Sequence, residues 1–187
     1  MILQANVVQK GSLLVAELAL TGDLSFSRSL IYMTEHNNET GSVGFIINKS
    51  TDLMINDLLP EVEGDFKIYK GGPVDEDNLY YLHKLPEILT DSIEIADGIY
   101  WGGNFNLLMQ ELKKGTIPSD KIKFFLGYSG WAPEQLDEEI RADSWIILDN
   151  KVDVFMENDA SKWKDKLLEL GGEYVIWANS PENPNYN

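Results

Sequence analysis

The sequence contains no cysteine, which removes disulfide bridges, thiolate nucleophiles and cysteine-ligated zinc or iron-sulfur centres together. Positive charge is scarce as well. Arg28 and Arg141 are the two arginines, and 15 basic residues against 31 acidic ones leave a net charge of -16. Phosphate-rich partners are held by clustered Arg and Lys that release counterions, so direct nucleic-acid binding is not expected. The best basic run, Lys162, Lys164 and Lys166 in "ASKWKDKLLEL", is diluted by Asp165 and Glu169 and reads as a solvated helix face. Long apolar runs are also missing. Nowhere do about 18 apolar residues follow one another, and Glu17 interrupts the best N-terminal run, so no membrane span is expected. The start, "MILQANVVQKGSLLVAELALTGD", has no basic leader region. These absences point to a cytoplasmic protein. No linker or repeat divides the chain, so residues 1–187 are read as one domain, a size that buries roughly 70% of its unfolded surface.

What is present is mainly strand sequence. "SLLVAEL" (12–18), "SLIYMTE" (29–35) and "SVGFIINK" (42–49) are β-rich runs joined by turn residues, the last pair through the loop "HNNETG". "TDLMINDLLPEVEG" predicts a short amphipathic helix limited by Pro60 and Gly64. "FKIYKGGPVDEDNLYYLHK" reads as strand, Gly-Gly-Pro turn and strand, and "SIEIADGIYWG" as a hairpin with Asp97-Gly98 at its tip. "NFNLLMQELKKG" predicts a helix from an Asn104 cap to Gly115. A strand over 121–128, a helix after Pro133, a strand over 144–150, a helix ending at Gly171 and a short strand "YVIWA" complete the pattern. The Pro- and Asn-rich segment 178–187 is expected to be a mobile tail. Strands in hairpins with helices inserted between groups predict α+β with a mixed, largely antiparallel sheet and helices packed around it.

The stretch "GYSGWAPEQLDEEI" raises the question of a serine nucleophile. A nucleophile elbow needs G-x-S-x-G on a strand-to-helix turn, and here the second glycine, Gly130, comes one position early. Both histidines, His36 and His83, precede the serine, against that fold's chain order. Ser129 is therefore read as part of a helix entrance, with the strand ending at Tyr128 and Pro133 in the first helical turn.

Taken with "EHNNETGSVGFIINKS" (35–50), "GGPV" (71–74) and "YLH" (81–83), the same stretch resembles the AlgH/YqgE family of bacterial proteins. The matches run in family order from about Leu13 to Leu148. The resemblance implies a compact α+β fold whose mixed sheet is partly barrel-like, and a regulatory label drawn from a link to alginate synthesis, without a molecular activity. It also implies that alanine is common at the position of Ser129, which argues against a nucleophile there. The chain departs from the family pattern at Pro133 and in a shortened stretch between Asp57 and Phe66.

The shared motifs supply one candidate ligand pocket: His36, Asn48, Gly71, Gly72, His83, Tyr128 and Trp131. Each has a simpler reading. The histidines would hold turns through backbone hydrogen bonds, the glycines would shape a tight turn before Pro73, and the aromatics would plug the core. "KGGPVDED" lacks the Lys-Ser/Thr of a phosphate loop and is followed by Asp75, Glu76 and Asp77, so phosphate binding there is disfavoured. No catalytic set, metal set or cofactor motif is expected. The resulting expectation is a non-enzymatic regulatory or binding protein acting through a protein or small-molecule partner and not through direct DNA contact. The alternative is a hydrolase using His36 or His83 with nearby carboxylates, assisted by a metal-bound water.

Overall fold

The computed structural model describes residues 7–20, 22–148, 153–157 and 159–181. Ten strands and five helices are ordered as β1 (Leu13–Ala16), β2 (Leu30–Asn37), β3 (Gly41–Ile46), β4 (Ser50–Met54), α1 (Ile55–Leu58), β5 (Lys67–Lys70), β6 (Val74–His83), β7 (Ile93–Ala96), β8 (Ile99–Trp101), α2 (Phe105–Lys113), β9 (Ile122–Trp131), α3 (Gln135–Arg141), β10 (Trp145–Leu148), α4 (Ser161–Leu170) and α5 (Tyr174–Ala178). No helix among the described residues is long and apolar enough to cross a membrane.

Local chemistry explains most boundaries. Asn37 Oδ1 accepts the backbone N–H groups of Glu39 and Thr40 and folds the β2–β3 loop. Asp97 and Gly98 both have positive φ, as a two-residue hairpin turn requires. Asn104 caps α2 by accepting from the Leu107 N–H at 3.2 Å. Leu108 and Leu112 of that helix are buried, each contributing about 1.5–3 kcal/mol of transfer free energy.

Three expectations need correction. The helix predicted over "TDLMINDLLPEVEG" is confined to Ile55–Leu58, because residues 50–54 form β4, which pairs with β5. "YVIWA" is helical, not extended: Gly171 and Gly172 take positive φ and fold α5 back beside α4, with Tyr174 and Trp177 in edge contact at 4.9 Å. Nor does the strand over 121–128 end at Tyr128; β9 continues to Trp131. Within the segment from 178, Ala178 is buried and the Ser180 carbonyl accepts from Arg28 at 2.6 Å; residues 182–187 lie outside the described residues.

The sheet runs β10-β1-β2-β3-β9-β6-β8-β7, with β5 branching from β9 and carrying β4. One edge of β9 is shared: its first half lies parallel to β5, and its last three residues lie antiparallel to β3. Its other edge is antiparallel to β6. The sheet does not close, yet it curls far enough that a Cβ on Gly11, just ahead of β1, would sit 2.7 Å from that of Ala96 at the end of β7.

The curl encloses a core of Leu13, Tyr32, Phe45, Phe125 and Ile95, covered by Trp163 and Leu167 of α4. Outside it, α2 packs on Ile68, Tyr81 and Phe124, and α3 packs on Ile31, Met33, Trp131 and Trp145. β1, β10, most of β3 and the first five residues of β2 are thus buried on both faces, which is why they read as apolar runs and not as clean alternation.

Candidate functional site

The motif Gly127-Tyr128-Ser129-Gly130-Trp131 lies within β9, and each residue answers to a different neighbour. Ser129 is fully buried and donates its hydroxyl to the Gly71 carbonyl at 3.0 Å. Gly71 also donates its N–H to Leu126 and accepts from Ile46, so one glycine bridges β9 and β3. A Cβ on Gly71 would meet the Gly127 carbonyl oxygen at 2.2 Å, and one on Gly72 would meet that of Tyr128 at 2.2 Å. The Gly-Gly pair is there to let two backbones pass in near contact.

Strand alternation then separates the two aromatics of the motif. Trp131 and Ser42 are paired, and Ser42 is paired with His36, which sets these three in one row across β9, β3 and β2. That row meets α3. His36 Nδ1 lies 2.8 Å from Ser42 Oγ and its Nε2 lies 4.0 Å from Asp137 Oδ1, while Trp131 donates its indole N–H to Glu139 Oε2 at 2.9 Å. Tyr128 lies three positions from Trp131 and projects to the opposite face, where its ring meets Tyr80 edge-on at 5.6 Å.

On the Tyr128 side a cleft of about 410 Å³ opens over the sheet. Its floor is the row Glu35, Val43 and Gly130, and its wall is the paired Val74 and Tyr128. Gly130 has no side chain to fill it. From Val74 the register on β6 shifts, so that Leu79 next pairs with Leu126 and residues 75–78 bulge outward, exposed.

The other predicted site residues lie elsewhere. His83 pairs with Ile122 at the far end of β9, roughly 30 Å from Trp131 at 3.3 Å per residue. Its ring is buried. Nδ1 accepts from the Leu85 N–H at 3.0 Å, which puts the proton on Nε2, and Nε2 donates to the Gly102 carbonyl at 2.9 Å. Burial lowers its pKa, the Gly102 carbonyl acting against that shift. Asn48 is fully buried near the start of β2, where its amide accepts from Leu30 N–H at 2.8 Å and donates to the Arg28 carbonyl at 3.0 Å. His36 and Trp131 are therefore brought together with Ser42; Gly71 and Gly72 lie beside Tyr128; Asn48 sits between Ile46 and Lys49, which ladder to Gly71 and Lys70, but turns its amide to Leu30 and Arg28; His83 lies at the far end of β9. Among the described residues no three His, Asp or Glu side chains converge as a metal site.

Two residues passed over in the sequence carry much of the local electrostatics. Glu139 accepts from the indoles of Trp131 and Trp145 on one oxygen and from Gln135 Nε2 on the other. Lys123 looks in sequence like an outward-facing residue of a strand, yet it is 4% exposed. Its Nζ donates to the carbonyls of Ile47 at 3.1 Å and Met156 at 3.2 Å and lies 3.7 Å from the centre of the Tyr69 ring. Burial pushes its pKa down to about 7, with Asp153 and Glu157 pulling the other way. A lone polar residue between Ile122 and Phe124 gives no sign of burial; residues 153–157, distant in sequence, supply the cover.

A family model described as AlgH-like (DUF179) matches residues 13–175. The chain belongs to the AlgH-like family. It is similar over 184 residues, at 42% identity, to a UPF0301 protein of Cytophaga hutchinsonii, covering 97% of this chain and all of that one. It is 39% identical over 190 residues to a UPF0301 protein of Bacteroides fragilis, covering 99% and 95% of the two chains. Among solved structures, the solution structure of the AlgH protein from Pseudomonas aeruginosa superposes with a TM-score of 0.70 at 22% identity, over 97% of this chain and 98% of that one. The crystal structure of protein DIP2367 from Corynebacterium diphtheriae gives 0.72 at 20% identity, over 95% of each. At those identities the likeness is one of fold. The AlgH-like assignment makes the mixed α+β sheet a family property and carries no activity with it.

Proposed function

We propose that this AlgH-like chain is a non-enzymatic binding protein of the cytoplasm, with a regulatory role exerted through a protein or small-molecule partner seated in the cleft beside Tyr128. One observation carries the reading: Ser129 and His83 of the shared motifs are spent on internal bonds, whereas the Tyr128 face stays open. Ser129 and His83 have every polar atom occupied by the backbone. The cleft instead offers Val43, Val74 and the Tyr128 ring for apolar contact, with Glu35 and Thr40 at its margin. A net charge of -16 speaks against direct DNA contact.

The test is an amide-resolved NMR titration with metabolites, nucleotides, peptides and a short DNA duplex. Shifts should cluster on Val43, Val74, Tyr128 and Gly130, and Tyr128→Ala should weaken that binding at least about tenfold, the loss of one buried aromatic contact. Ligand shifts confined to other regions, or tight duplex binding at physiological salt, would overturn the reading.

The hydrolase reading keeps one supporting observation, the succession Ser42, His36, Asp137. It weighs less, because Ser42 is 4% exposed and a separation of 4.0 Å between His36 and Asp137 exceeds hydrogen-bond length. Hydrolytic turnover abolished by His36→Ala in a folded protein would promote it.

A further inference from the structure

Away from the Tyr128 cleft, a second cavity of about 440 Å³ opens between the ends of β4, β5 and β9 and the segment 153–157. Half of its wall is apolar, from residues such as Met54, Phe66, Tyr69, Phe155 and Met156, and half is polar, Lys123 among that half. Two features together set this amine apart among the lysines of the described residues. Nearly all of its surface is withdrawn from water. Its position is also fixed, by the Ile47 carbonyl from the end of β3 and the Met156 carbonyl from the opposite wall.

A neutral amine has two N–H bonds and one lone pair. Two carbonyl acceptors satisfy the two N–H bonds, and the lone pair remains beside the Tyr69 ring, whose centre lies 3.7 Å from Nζ. The charged form would have to be held away from water, where desolvation works against it. Among the described residues the ionisable groups around the cavity are Asp65, Asp120 and Glu157 on its lining, Lys67 paired to Glu157, Lys121 paired to Asp120, and Asp153, which acts on Lys123 at longer range and is paired to Lys84 over the Phe155 ring. Lys67, Lys84 and Lys121 are each held against a carboxylate, so none is free to draw an anionic ligand in. Lysines desolvated in this way are the amines that attack carbonyl carbon at neutral pH.

We propose that Lys123 is a reactive amine that captures a small uncharged aldehyde as an imine inside this cavity. The Nζ lone pair attacks the aldehyde carbon, forming the N–C bond as the carbonyl π pair moves to oxygen. Proton transfer from nitrogen to that oxygen gives a carbinolamine, which expels water to leave a C=N bond. No oxidant or reductant enters the balance, and hydrolysis reverses it. Tyr69 and Phe155 supply the apolar contact that selects against charged carbonyl compounds.

The experiment is reductive trapping of the full-length native protein with propionaldehyde and cyanoborohydride near pH 7, followed by peptide mapping. Lys123 should be alkylated at least about tenfold faster than any other lysine, since ordinary lysines are protonated there, and its rate should rise through a midpoint at about pH 7. Glyoxylate, the anionic counterpart, should label it more slowly than propionaldehyde. Labelling of the N-terminal amine and surface lysines with Lys123 untouched would overturn the proposal, as would labelling of Lys123 only after unfolding in urea. The mapping uses the unmutated chain, so the outcome does not depend on whether Lys123→Met folds.

Discussion

A single carboxylate oxygen of Glu139 accepts the indole N–H groups of both Trp131 and Trp145, at 2.9 and 2.8 Å. The two rings stand edge to face at 6.0 Å, with Phe26 against both. One residue of α3 therefore ties the end of β9 to the start of β10, two strands that do not pair with each other. This is the physical content of the Gly127-Tyr128-Ser129-Gly130-Trp131 stretch on its tryptophan side: the indole is an anchor for α3.

Replacing Glu139 by Ala strands two indole donors on rings that are almost fully buried. Each unpaired donor should cost about 1–3 kcal/mol, lowering the melting midpoint by roughly 2–4 °C per kcal/mol for a domain of this size. Urea unfolding followed by tryptophan fluorescence reads the loss. A change within experimental error would mean that the indoles find other acceptors.

Gly71→Ala tests the backbone crossing. The added Cβ would lie 2.2 Å from the Gly127 carbonyl oxygen and 2.9 Å from the Phe45 ring, so β5 must move off β9. Overpacking of a rigid core costs about 1–3 kcal/mol or more. Gly22→Ala, whose Cβ meets nothing within 4 Å, should stay within about 0.5 kcal/mol of the parent. Equal stabilities for the two variants in denaturant titrations would refute the close-contact argument.

Lys123 makes stability depend on pH in a stated direction. In the fold its pKa is about 7, whereas in the unfolded chain it returns to about 10.4. Between those values the unfolded chain holds a proton that the folded one has lost, so stability rises with pH across that window. Below pH 7 both states are charged and the full penalty of burying the ammonium is present. The stability of the parent minus that of Lys123→Met should therefore increase between pH 7 and 10, by about 4 kcal/mol in order of magnitude. A flat difference across that range would show that the ammonium is adequately solvated in place.

The parts of the fold that were legible in the sequence are those fixed by near neighbours. Asp97-Gly98 had to be a turn because of its backbone preferences, and Asn104 had to cap because its side chain reaches a donor three residues on. Tyr174 to Ala178 misled because aromatic and β-branched residues suit a strand; what made them helical is contact with α4, set by two glycines in positive φ. Trp131 and Tyr128 were grouped because both flank an apparent turn. β9 continues through Ser129 and the odd spacing turns the two rings to opposite faces, yet both residues line the same cleft. Glu139 and Lys123 were invisible for a related reason: burial of a charge is decided by segments far away in sequence.

β9 draws its hydrogen-bond partners from residues 42–44, 68–70 and 74–83, all of which leave the ribosome before it does. Until residue 131 has emerged, β3, β5 and β6 each present an unsatisfied edge to the surroundings. A nascent chain of this architecture is thus three separate adhesive fragments waiting on one late strand. Stalled synthesis just short of Ile122 would yield material prone to stick to itself, whereas a chain that runs on through Leu148 has these edges, and that of β1, covered.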